Sequence, residues 1–139
     1  MKAIHPCTCT NMRRAAHSVT QFYDSILAPS SLKITQFLLL RELLPHGSLS
    51  ITELAQLVEL DRTTTGKNLQ VLARSGFVSF APGEDRREKA VQVTDSGKHA
   101  FALALPLWEQ AQKEVATTLK QERLELLTSL LSEIEAMSS

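Results

Sequence analysis

Between Ser50 and Gly76 the chain carries two helix-start signals and one helix-stop signal in quick succession, and few folds accommodate that pattern. Ser50-Ile51-Thr52-Glu53 reads as a capping box, in which the serine hydroxyl accepts from the Glu53 amide and the Glu53 carboxylate reaches back. It opens a short helix over about 51–58. Leu60 leads to Asp61, a good N-cap for a second helix over about 62–75. Gly76 is suited to end that helix in the left-handed region. The connection Val58-Glu59-Leu60-Asp61 leaves room only for a tight turn. Leu54, Ala55 and Val58 then brace the second helix, and the small Ala55 lets the two approach closely.

Two strand-like runs follow, Phe77-Val78-Ser79-Phe80 and Lys89-Ala90-Val91-Gln92-Val93, joined by a tip from Pro82 to Arg87. Two short helices followed by a basic-tipped hairpin make a winged helix-turn-helix. Long stretches on either side lack glycine and proline. The first places Met12, Ala15, Ala16, Val19, Phe22, Tyr23, Ile26 and Leu27 on one stripe of a helix over about 10–27. A helix over about 35–44 carries Phe37, Leu38, Leu40 and Leu44, and Pro45-His46-Gly47 ends it. Thr94 and Asp95 open a long helix to about Leu119, with a kink or break expected at Pro106. A last helix over about 121–137 aligns Leu124, Leu127, Leu131 and Ile134. The expected fold is mainly α with a small β-hairpin wing. It forms a single domain over 1–139, with a DNA-binding lobe at 33–97 and helical regions at 1–32 and 98–139.

Composition excludes several other classes. Hydrophobic residues make up 43% of the chain, enough for a core and too many for a disordered chain. The longest apolar run, Phe101 to Trp108, contains Pro106 and falls far short of the ~20 residues that span a bilayer. No signal-peptide h-region follows Lys2, so a soluble cytoplasmic protein is expected. Formal net charge is zero, with 15 basic and 15 acidic residues. The charge is unevenly spread: residues 62–98 carry a net +3 and residues 109–139 a net −3. Paired carboxylates, nucleotide loops and Ser/His/Asp sets at usable spacing are lacking, so an enzyme is not expected.

The second helix begins Arg62-Thr63-Thr64-Thr65-Gly66-Lys67-Asn68. Short polar side chains let a helix lie deep in the major groove, and Arg, Lys and Asn suit guanine and adenine edges. Arg62, Thr63, Thr64, Thr65, Lys67 and Asn68 are therefore the candidate DNA contacts, with Leu69, Val71 and Leu72 as the buried face. Gly66 costs about 1 kcal/mol relative to Ala in a helix, which close approach to DNA would explain. At the wing tip Arg86 and Arg87 suit a narrow minor groove, and Asp85 can position one of them. Arg74, near the helix end, suits either the helix dipole or a phosphate.

Residues 61–97 resemble the MarR (multiple-antibiotic-resistance regulator) family. The likeness is carried by Asp61-Arg62-Thr63-Thr64, Arg74-Ser75-Gly76-Phe77-Val78, Asp85-Arg86-Arg87 and Val93-Thr94-Asp95-Ser96-Gly97. It implies a homodimer whose first and last two helices interlock, presenting two recognition helices roughly 34 Å apart to a pseudo-palindromic double-stranded operator. It also implies a transcriptional repressor released by a small-molecule effector or by thiol oxidation. Gly66 stands where the family commonly has a larger residue, so operator preference should differ. The alternative is a winged-helix interaction module that regulates a partner without binding DNA, which zero net charge keeps open.

Cys7 and Cys9 fall at the start of the first helix, where the dipole lowers a thiol pKa. Three readings stay open for the pair: a redox sensor, a soft-metal sensor with His5 and His17, and incidental thiols in a dimer interface. A cross-subunit disulfide is the expected oxidised form, because Cys-x-Cys strains an internal one. No cofactor and no dedicated metal site are otherwise expected. Phe22, Phe37 and Trp108 are candidates for an apolar effector pocket, set against ordinary core packing.

Overall fold

The computed structural model describes residues 2–83 and 88–138. Six helices and three strands follow one another: α1 (Thr8–Leu27), α2 (Ile34–Leu43), β1 (Ser48–Ser50), α3 (Ile51–Val58), α4 (Arg62–Arg74), β2 (Val78–Pro82), β3 (Lys89–Val93), α5 (Asp95–Leu119) and α6 (Gln121–Glu135). Short 3₁₀ turns cover Ala28–Ser30, Leu44–His46 and Ala136–Ser138. The sheet is antiparallel in the order β1-β3-β2, with Leu49 opposite Val91 and Phe80 opposite the same residue on the other side. No helix among the described residues is long and apolar enough to cross a membrane.

Local signals set the boundaries. Ser50 Oγ accepts from the Glu53 amide at 3.0 Å, and Glu53 Oε1 accepts from the Ser50 amide at 3.0 Å, which is the capping box. Gly76, at φ 81°, closes α4 in a Schellman arrangement: the Phe77 amide donates to the Leu72 carbonyl and the Gly76 amide to that of Ala73. Thr94 then ties two elements together. Its hydroxyl accepts from the Gly97 amide to cap α5 and donates to the Gly76 carbonyl. For α2 the cap comes from another helix, since Asp24 Oδ1 on α1 accepts from the Ile34 amide at 2.8 Å.

The core joins the end of α1 and α2, α3, α4 and α5 to the sheet through Leu27, Phe37, Leu40, Leu54, Leu69, Leu72 and Val91, among others. In α2 the buried set is Phe37, Leu39, Leu40 and Leu43, not the expected Phe37, Leu38, Leu40 and Leu44. Leu38 is exposed, because three consecutive leucines cannot all face one side of a helix. Val71, expected in the core, is 40% exposed for the same geometric reason. α5 runs unbroken through Pro106. That proline is exposed, so the backbone carbonyl it leaves unpaired can be hydrated.

The terminal helices are amphipathic as expected, yet their apolar stripes stay largely uncovered. Of α1 only Leu27 is buried, and Val19 is 51% exposed. No residue of α6 is buried. Phe37 stacks on Phe101 at 4.9 Å between ring centres and lies 5.5 Å from Trp108. Phe37 belongs to the core, and Phe101 and Trp108 pack against it. Phe22 instead packs edge-on to Tyr23 and, with Val19, Val115 and Leu119, lines an open groove between α1 and α5.

Candidate nucleic-acid interface

Asp61 sets the start of α4. Its Oδ1 accepts from the Thr64 amide at 2.7 Å, and the Thr64 hydroxyl donates to Oδ2 at 2.8 Å. Hydrogen bonds from the Thr64 amide and then from its hydroxyl hold the Asp61 carboxyl below its usual pKa. The cap is therefore at full strength above the ordinary carboxylate range and fades as pH falls through that depressed value.

On the rest of α4 the 3.6-residue period divides buried from exposed. Thr65, Leu69 and Leu72 point into the core. Thr63, Lys67, Gln70 and Arg74 form one exposed stripe along the whole helix, flanked by Gly66 and Val71. The expected contacts in the first turns fall on different sides of this division. Arg62 is exposed, and its Nε donates to Thr52 Oγ1 on α3 at 3.3 Å. Thr63 and Lys67 are exposed. Thr64 commits its hydroxyl to the cap, and Asn68 is half-buried with Nδ2 donating to the Thr64 carbonyl at 3.0 Å.

Thr65 is a correction: it is 0% exposed and its side chain cannot reach DNA. Its position is four residues before Leu69, on the core side of the helix. Its hydroxyl has no hydrogen-bond partner among the described residues. An unpaired buried hydroxyl is destabilising, so Thr65→Val should raise stability by about 1 kcal/mol and leave DNA affinity unchanged. Parallel thermal melts and DNA titrations check this, and weaker DNA binding by a stable Thr65→Val protein would count against the burial.

Gln70, which is not among the expected contacts, and Val71, expected in the core, are both exposed on this outer face. A count of 3, 4 and 7 from Thr63 and Lys67 would have reached Gln70. Polarity in the first turns does not reach it. The wing residues Asp85, Arg86 and Arg87 lie outside the described residues.

At the other end of the molecule Cys7 is the N-cap residue of α1, and both Cys7 and Cys9 are exposed. The Thr10 amide, then the Thr10 hydroxyl and the Cys9 amide, present their dipoles to the Cys7 thiol and hold it below its usual pKa. The His5 Nδ1 accepts from the Cys7 amide at 3.0 Å. Among the described residues no three His, Cys, Asp or Glu side chains come together as a metal site.

Residues 32–89 match the model of the MarR family. The transcriptional regulator MosR of M. tuberculosis, in its crystal structure in complex with DNA, is 34% identical and superposes with a TM-score of 0.80 over 94% of this chain and 98% of that one. YwaE of Bacillus subtilis, described as an uncharacterized HTH-type transcriptional regulator, is 26% identical over 127 residues, 90% of this chain and 74% of its own length. BpsR of Bordetella bronchiseptica, whose DNA binding is regulated by 6-hydroxynicotinic acid, is 19% identical with a TM-score of 0.83 over 97% of this chain and 99% of its own. At that identity the likeness is one of fold.

Proposed function

This chain belongs to the MarR family of transcriptional regulators, and from that premise we propose that it works as a homodimeric repressor. In this reading it reads a pseudo-palindromic operator through α4. One observation carries the reading: α4 is locked on one side into the core by Leu69 and Leu72 and presents Thr63, Lys67, Gln70 and Arg74 on the other. A rigid helix with a polar and basic outer stripe is what major-groove reading requires. Lys67 and Arg74 bring positive charge to the phosphates, with Arg62 at the helix start. Arg86 and Arg87 join them as wing contacts, positioned by Asp85, on the sequence alone. The uncovered apolar stripes of α1 and α6 supply the dimer surface.

The test is a titration of duplex DNA from upstream of its own gene at several salt concentrations. Neutralising about six phosphates should weaken binding roughly 1000-fold between 50 and 200 mM salt, because condensed counterions are released on binding. Binding that is absent, or indifferent to salt, points to the interaction module instead.

For release, the exposed Cys7 at a helix N-cap with a lowered thiol pKa favours oxidation. Hydrogen peroxide oxidises a thiolate to sulfenate and is itself reduced to water. A second thiol then displaces a further water to form a disulfide. Peroxide should therefore abolish DNA binding by the wild type and spare Cys7→Ser. If peroxide releases both proteins, Cys9 is the reactive thiol; if it releases neither, the signal is a small ligand.

A further inference from the structure

We infer that Gln70, lying across the bare turn at Gly66, is the principal base-reading side chain of α4 and takes an A·T pair in the major groove. The inference rests on the DNA-binding reading above and names which side chain carries specificity.

Four of the other polar side chains of α4 are engaged or turned away, while Thr63, Lys67 and Arg74 share the exposed stripe with Gln70. Thr64 and Asn68 bond within the helix and its cap, Arg62 bonds to Thr52, and Thr65 is buried. Gln70 is exposed, and its amide makes no hydrogen bond among the described residues. In an α-helix each Cα–Cβ bond tilts towards the N-terminus, so a side chain covers the turn before its own. For Gln70 that turn holds Gly66 and Lys67.

Gly66 has no internal reason to be glycine. Its φ lies outside the left-handed region, and a Cβ built there meets no atom within 4 Å. Alanine would fit and would favour the helix by about 1 kcal/mol. The beneficiary of the missing side chain therefore lies outside the chain. A bare turn under Gln70 lets the helix sink closer to the base edges and leaves the amide free to lie flat against them.

The amide chemistry selects the base. A glutamine carries one acceptor and two donors in a planar fork, which matches N6 and N7 of adenine. Lys67 and Arg74, three residues before and four after, place a cation on either side of it. Such cations hold the phosphate backbone and fix the register in which the amide meets one pair.

The experiment is selection of bound duplexes from a randomised library, using the full-length protein as wild type, Gln70→Ala, Gly66→Ala and Lys67→Ala. The wild type should enrich a motif with an A·T pair in each half-site. Gln70→Ala should lose preference at that pair alone, to within about twofold, and bind the wild-type motif about tenfold more weakly. An unchanged melting midpoint of Gln70→Ala shows that the fold is kept. Gly66→Ala should melt at a higher temperature and yet bind the motif less tightly. Lys67→Ala should weaken all sequences evenly and lessen the salt dependence. Recovery of the full wild-type motif by Gln70→Ala, or an even loss across all positions, overturns the inference while DNA binding stands. Unchanged affinity of Gly66→Ala overturns the role of the bare turn. A wild type that enriches no motif overturns the DNA-binding reading and this inference with it.

Discussion

Gly97→Ala should lower the thermal unfolding midpoint by about 10 °C, the largest loss expected from any single methyl group in this chain. Gly97 is buried in the first turn of α5, against the backbone of Phe77 just beyond the turn that ends α4. A Cβ there would run into the Phe77 carbonyl oxygen and stand 2.7 Å from Val93 Cγ1. The first obstacle is backbone, held in place by the Schellman turn at Gly76 and by the Thr94 amide, which donates to the same Phe77 carbonyl at 3.0 Å. Neither element can give way without breaking these bonds. Overpacking against fixed backbone costs about 3 kcal/mol, which at this chain length converts to that shift in midpoint. Gly66→Ala is the control, since the same methyl in α4 meets open space. Melting curves followed by circular dichroism would decide it, and equal midpoints for wild type and Gly97→Ala would show that the junction is softer than its geometry implies.

The second large effect concerns assembly. Leu127→Glu combined with Leu131→Glu should convert the dimer to monomers and weaken operator binding about 100-fold or more, because the two half-sites would no longer be held by one molecule. In the single chain Leu127 is 39% and Leu131 45% exposed, and α6 buries nothing. Glutamates at those positions therefore disturb no core packing within the subunit. In a dimer that covers the stripe they would place unpaired charges in an apolar contact, at a penalty of several kcal/mol each. Sedimentation equilibrium checks the assembly state, and a far-ultraviolet spectrum like the wild type's shows that the helices persist. A double variant that stays dimeric would place the interface elsewhere, with the groove between α1 and α5 as the next surface to test.

Much of the fold was legible in the sequence because its boundaries rest on local chemistry. Ser50 with Glu53, Asp61 with Thr64, Gly76 and Thr94 each act within about one helical turn, and each sits where the residues alone put it. Of the kink or break expected at Pro106, the break does not occur, because the exposed position of that proline allows α5 to continue. Choices among like residues were less legible. Nothing local distinguishes Leu38 from Leu39, or makes Val71 less suited to a core than Leu72.

The same division runs through the candidate interface. Sequence by itself determined that a short capped helix with a polar, basic face would precede a hairpin, since capping and amphipathic period are properties of a chain segment. Tertiary structure decided how that helix is turned. Packing of α4 through Leu69 and Leu72 sends Thr65 inward and brings Gln70 out, although both are polar and both lie on the same helix. Which threonine or glutamine meets DNA depends on where the neighbouring helices remove water from the surface of α4. That is a property of the assembled core, and no residue of α4 carries it alone.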